Sequence, residues 1–359
     1  MKIGILTFHC AINYGAVLQA YGLQEYLNLL GHEVYVIDYR PDYLTDAYKV
    51  FRWSYKNECS WKSNLKNLFR EGLVMPIRVI RKFKFQRFVN KHLNLHKWDS
   101  TLSTFDTFVF GSDQIWNPCI TRGLDKVFIG SFKEAQGKKL IAYAASVGAL
   151  QNLTSNDYRE LKSHLSSFEK VGLREKTLYD LLSVQLDCSA ITVDPVLLAG
   201  INVFSKITDY VQIKTPYLLL FTLGRDERSV EVAYKIAKQK SLEVIEVLSS
   251  KESLYNAKIK QTLSPSEFLG YIKNASYVVT SSFHGTVFSI LFQKDFNVIT
   301  NSLTHGERIV QLLHSLGLQS RIVENDLNKV IEVNEINHFE VSERLAVLTL
   351  VSREFISKI

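Results

Sequence analysis

The chain has 359 residues, 46% of them hydrophobic and 22% charged, with a formal net charge of +7. That length exceeds the size at which one core usually stops growing and predicts two domains, and the composition excludes a disordered or low-complexity chain. No continuous apolar run of about 18 residues offers a bilayer span, and residues 1–6 reach His9, Cys10 and Asn13 too early for a signal-peptide core, so a cytoplasmic location is expected.

The opening reads as strand (2–8), polar loop to Gly15, helix (16–30) stopped by Gly31, and strand (33–39). This is a βαβ unit, which demands a right-handed crossover and a parallel sheet. Its first loop, His9 to Gly15, holds no G-x-G-x-x-G, so a dinucleotide fingerprint is absent. Next comes a basic stretch with Lys62, Lys66, Arg70, Arg78, Arg81, Lys82, Lys84, Arg87, Lys91 and Lys97 against the single acid Glu71. Leu65, Phe69, Ile77, Phe83, Phe88 and other apolar residues are interleaved, and residues 61–89 are predicted helical. Such a region suits an anionic membrane surface, a phosphorylated ligand, nucleic acid, or simply a solvated helix face. No nucleic-acid motif accompanies it, which ranks nucleic acid last.

Strands resume at 105–110 and 140–144 and end in Gly111 to Pro118 and Ala145 to Gly148. Small and polar strand ends are expected where an open α/β sheet lines a crevice at its carboxyl edge. A helix at 157–168 leads through Leu173-Arg174-Glu175 to Val193-Asp194-Pro195, and residues 195–216, weakly periodic, read as a linker. The domain boundary is placed there: 1–195, 196–340, and a C-terminal helix at 341–359. The second half repeats the alternation, with strands at 217–222, 243–248, 277–279 and 296–300 and helices at 227–240, 264–275, 285–293 and 307–316. Ser264-Pro265-Ser266-Glu267 is a capping box with proline at the first helical position. The fold class is therefore α/β, two Rossmann-like doubly wound domains facing a cleft, an arrangement of GT-B sugar transferases and of bilobal binding proteins alike.

The turn Thr280 to Thr286 lies between a strand and a helix, where backbone N–H groups and a titratable side chain meet an anion. The same residues also serve structure: Ser281 or Ser282 as a cap, Gly285 in a tight turn, His284 as a satisfied buried ring. Cys10, Cys59, Cys119 and Cys188 show no C-x-x-C spacing and no paired histidines, which argues against zinc and disulfides, and no metal requirement is expected.

Asn13 to Ala20, Gly111 to Asn117, Leu173 to Glu175, Val193 to Pro195 and Thr280 to Gly285 together, in this order, resemble the polysaccharide pyruvyl transferase family over roughly residues 3–320. The resemblance implies a GT-B-like transferase that moves pyruvate from phosphoenolpyruvate, a co-substrate rather than a cofactor, onto a sugar as a cyclic ketal. The acceptor would be a bacterial surface polysaccharide or its polyprenyl-diphosphate-linked precursor. His284 matches the family's acid/base, and Arg174 the arginine that holds donor charge. Where some members carry arginine two positions before the histidine, this chain has Ser282, and Arg225 or Arg308 is the candidate to supply the charge. Ser281, Ser282 and Gly285 complete the expected donor side. Asp113 is expected to activate or orient a sugar hydroxyl or else to cap a turn, and Asn13, Gln19, Gln114 and Trp116 to line the acceptor side, the indole stacking on a sugar. The basic region is expected to bring the enzyme to the inner face of the cell membrane or to a lipid-linked acceptor. Two alternatives stand beside this reading: a nucleotide-sugar glycosyltransferase, and a non-catalytic glycan-binding protein.

Overall fold

The computed structural model describes residues 1–51, 61–183, 186, 189–224, 227–248, 259–300, 307–323, 331 and 333–359, with backbone alone at 61–67 and 70. Its first half runs β1 (Lys2–Leu6), α1 (Tyr14–Leu29), β2 (Glu33–Asp38), α2 (Asp42–Asp46), α3 (Trp61–His92), β3 (Leu95–Lys97), β4 (Thr107–Phe110), α4 (Pro118–Thr121), β5 (Lys139–Ala145), α5 (Ser155–Leu165), β6 (Lys170–Leu173), α6 (Lys176–Leu182) and β7 (Ser189–Ile191). These strands form one parallel sheet in the order β3-β2-β1-β4-β5-β6-β7.

After α7 (Pro195–Ser205) the second half runs β8 (Tyr217–Thr222), α8 (Glu227–Gln239), β9 (Glu243–Leu248), β10 (Ile259–Lys260), α9 (Pro265–Asn274), β11 (Tyr277–Thr280), α10 (Phe283–Leu291), β12 (Phe296–Ile299), α11 (Glu307–Ser315) and β13 (Ile322–Val323), and α12 (His338–Ser357) ends the chain. Its sheet is also parallel, ordered β10-β9-β8-β11-β12-β13. Each sheet reverses its strand order once, between β1 and β4 and between β8 and β11. That is the doubly wound, Rossmann-like pattern, and two such sheets in series make the chain GT-B-like.

The strand sequences explain the topology. β4 (TFVF) and β8 (YLLLFT) are buried at every position, as parallel strands covered on both faces require. α8 buries the stripe Ser229, Val232, Ala233, Ile236 and Ala237 and exposes its opposite face, the pattern of a covering helix. α1 is buried almost all round and packs against α7, which replaces the first half of the linker expected at 195–216 with a helix. PVLLAGINVFS lacks amphipathic periodicity because its helix is itself covered, and it bends at Gly200, whose φ of 71° interrupts the helical backbone. The short edge strands β3, β10 and β13, two or three residues each, carry too little sequence to show a pattern.

Contacts at both ends of the chain lace the halves together. Tyr14, at the start of α1, stacks on Phe268 of α9 with ring centroids 4.2 Å apart, meets Phe221 of β8 edge-on, and donates its hydroxyl to the Leu263 carbonyl at 3.1 Å. At the far end α12 returns to the first sheet: Ser352 accepts from the Val193 N–H at 2.8 Å, and Lys170 donates to the carbonyls of Phe355 and Lys358. Among the described residues no helix is long and apolar enough to cross a membrane.

Phe268 is fully buried and touches Tyr14, Phe221 and Phe288. Phe268→Ala should therefore lower stability by about 3–5 kcal/mol, read as a shift in the denaturant midpoint. A shift below about 1 kcal/mol would show that this aromatic cluster does not hold the halves together.

Candidate functional site

Asp194 N-caps α7, one oxygen accepting from the Val196 N–H at 2.9 Å. Its other oxygen lies 2.5 Å from Arg174 Nη2 and 3.5 Å from His284 Nε2. The carboxylate side chain is wholly buried and Arg174 nearly so. Burial alone would raise the Asp194 pKa, but the guanidinium of Arg174, with His284 beside it, holds the carboxyl well below the usual carboxylate range. Arg174, just beyond the end of β6, also donates to Ser112 Oγ beyond β4. Its Nε and Nη1 are buried without a hydrogen-bond partner.

A second ion pair lies alongside. Glu175 is buried, accepts from Ser146 Oγ beyond β5, and faces Arg308 Nε of α11 at 3.9 Å. Desolvation pushes the Glu175 carboxyl up, opposed chiefly by Arg308. Burial and then the charge of Arg174 lower the pKa of Arg308, while Glu175, Asp113 and Asp194 oppose them, so the two arginines and three acids share one electrostatic field. Both guanidiniums lie over the same ring, Phe283, at 5.5 and 5.6 Å from its centroid.

The turn after β11 supplies His284. Thr280 Oγ1 donates to the Phe221 carbonyl at 2.6 Å and accepts from the Ser282 N–H at 3.0 Å, and Ser282 Oγ caps α10 by accepting from the Gly285 N–H at 3.4 Å. The imidazole lies against Gly15 in the first turn of α1: a Cβ there would stand 2.0 Å from His284 Nδ1. Glycine at 15 is what lets the ring in. Asn13 caps that helix, accepting from the N–H groups of Gly15 and Ala16.

The structure thus brings His284, Arg174 and Arg308 together, with Asp113 within electrostatic reach, at the carboxyl ends of strands from both sheets. Asp113 itself takes φ = 81°, accepts from the Gln114 N–H at 2.9 Å, and bridges to Ala145. Ser281 is half-buried, and Gly285 is buried against Thr280 and Phe221. Arg225 lies outside the described residues.

Two acceptor-side expectations are corrected. Trp116 is fully buried with its indole N–H donated to the Phe128 carbonyl at 2.9 Å, so no ring face is open to a sugar. Gln19 is equally buried and spends its amide on Thr7 Oγ1 and the Ala16 carbonyl. Gln114 bonds Asn117 and packs over Gly148. Sequence reasoning assigned no role to Asp194 and Glu175, although an aspartate immediately before a proline is itself a helix-start signal, and a buried arginine needs an acid. Burial pushes the Cys10 thiol up to about 11, which disfavours its thiolate form.

Removing the Asp194 charge leaves Arg174 buried beside an uncharged amide. Asp194→Asn should cost about 3–5 kcal/mol of stability near neutral pH. Because the depressed carboxyl binds fewer protons folded than unfolded, its contribution is complete above the ordinary range near 3.8 and is lost as pH falls below it. The gap between the thermal melts of wild type and variant should stay constant from about pH 7 to about pH 5 and narrow only as pH falls below about 4. A gap independent of pH would contradict the assignment.

Among solved structures the chain is similar to Staphylococcus aureus MnaA in its UDP co-structure, at 12% identity and TM-score 0.47, over 99% of this chain and 90% of that one. It is likewise similar to Neisseria meningitidis UDP-GlcNAc 2-epimerase bound to UDP-GlcNAc (11%, 0.46, 99% and 93%) and to the spinosyn forosaminyltransferase SpnP (11%, 0.43, 100% and 92%). No curated protein matches in sequence. The family model for polysaccharide pyruvyl transferase matches residues 13–302, and the chain belongs to that family of transferases.

Proposed function

We propose that the protein transfers the pyruvyl group of phosphoenolpyruvate to two hydroxyls of a sugar, forming a ketal on a surface polysaccharide or its lipid-linked precursor. The observation that carries this reading is the buried cluster itself: two guanidiniums, one with orphaned donors, beside a histidine held against a carboxylate. Phosphoenolpyruvate carries a carboxylate and a phosphate, and Arg174 and Arg308 are the groups to bind them. His284 is the proposed proton carrier, its ring held between Gly15 on the Nδ1 edge and Asp194 on the Nε2 side.

In this reaction a proton adds to C3 of phosphoenolpyruvate and positive charge develops at C2. One sugar hydroxyl bonds to C2 and gives up its proton, for which Asp113 on the first domain is the proposed acceptor. A second hydroxyl then bonds to C2 as the C–O bond to phosphate breaks, releasing inorganic phosphate. His284 acts as acid first and as base afterwards, and the arginines stabilise the departing charge.

Incubation with phosphoenolpyruvate and lipid-linked or synthetic glycans, followed by mass spectrometry, should reveal the pyruvyl ketal mass and matching phosphate release. His284→Ala should lose about 100- to 10,000-fold in rate with a near-normal melting temperature. Gly15→Ala should reproduce much of that loss by displacing the imidazole, since alanine is otherwise the better helix residue. Thermal protection by a nucleotide sugar but not by phosphoenolpyruvate would favour a glycosyltransferase, and glycan binding without phosphate release would favour a non-catalytic role.

A further inference from the structure

The outer face of α3 has no part in the site. Phe69, Leu73, Ile80 and Phe83 recur at helical spacing along it with Val79 beside them, and all five are exposed, Phe69 by 70% and Phe83 by 65%. The inner face is occupied otherwise. Val74, Phe85, Phe88 and Val89 are buried, Arg81 lies over Tyr14, and Lys84 pairs with Glu267 of α9 at 2.7 Å. The one acid of the helix, Glu71, is held by Arg78 at 2.6 Å with only 18% of its side chain exposed. Lys82, Arg87 and Lys91 remain exposed next to the apolar stripe.

A continuous apolar stripe flanked by cations, with no outward carboxylate, is the surface of a helix that lies in the plane of a bilayer. A second copy of the chain fits it poorly: apposing two such faces would bring Lys82, Arg87 and Lys91 against their own copies with no acid of the helix to offset them. We propose that α3 docks the protein on an anionic phospholipid surface, with Phe69, Ile80 and Phe83 among the acyl chains and Lys82, Arg87 and Lys91 at the head groups. The sequence pattern suggested attraction by ten basic residues with apolar ones interleaved; Arg78, Arg81 and Lys84 turn inward, which gives apolar insertion the larger share. Binding should weaken yet persist as salt rises.

The test is flotation of the full chain with vesicles of phosphatidylglycerol and phosphatidylcholine, against phosphatidylcholine alone. Wild type should float with the anionic vesicles. Ile80→Ser with Phe83→Ser should reduce the bound fraction about tenfold or more without changing the melting temperature. Lys82→Glu with Arg87→Glu should reduce it through charge alone. Val347→Ser with Val351→Ser, exposed on α12 by 68% and 56%, should float like wild type. Wild type that floats with neither vesicle, or an α3 variant that floats undiminished, overturns the proposal. So does sedimentation showing a wild-type dimer that the Ile80/Phe83 variant converts to monomer, which would assign this face to a second copy.

Discussion

The constraint on which the site depends is one carboxylate. Asp194 uses one oxygen to start α7 and the other to face Arg174 and His284, so the end of β6, the helix between the halves and the turn after β11 converge on a single buried charge. Burying such an ion costs several kcal/mol unless its partners are well placed, and a broken pair costs more than one never made. The geometry of the charge cluster and the relative placement of the two halves are therefore coupled. A shift of one half against the other would strand a charge.

The first turn of α1 enforces the same coupling through sterics. Asn13 caps the helix, Tyr14 reaches across to Phe268 and Leu263 of the second half, and Gly15 leaves the space that the His284 ring fills. Three consecutive residues thus serve helix initiation, inter-domain packing and site geometry. A side chain at position 15 would act on the imidazole directly, whereas one at 14 would act on how the halves sit, two different routes to the same loss.

The alternation of strands and helices was legible because parallel strands covered on both faces read as unbroken apolar runs and covering helices show a single buried stripe. α7 was not, because a helix packed between α1, α10 and α12 is apolar on several sides and so has no period to detect. His284 and Arg174 stood out by their place at strand ends, but Trp116 and Gln19 stood in similar loops and proved internal. Residue type and position relative to a strand do not tell burial, which depends on what the rest of the chain lays over them. Asp194 and Glu175 were invisible as partners because each pairs with groups from a different strand or from the other half, and no local spacing encodes that.

The electrostatic balance of the cluster bears on the proposed binding of an anion there. Burial and the neighbouring charge of Arg174 disfavour the Arg308 guanidinium, and the acids Glu175, Asp113 and Asp194 offset only part of that. Glu175 is the weaker counter-ion because its own burial works against ionisation. Arg174 moreover keeps two donor nitrogens buried without hydrogen-bond acceptors, each an expense of about 1–3 kcal/mol that folding elsewhere must offset. Under the proposed function, an anionic ligand would supply the acceptors that Arg174 Nε and Nη1 lack. In the proposed reaction, positive charge and donors held in place before the ligand arrives would stabilise the charge developing on a departing phosphate with little further reorganisation.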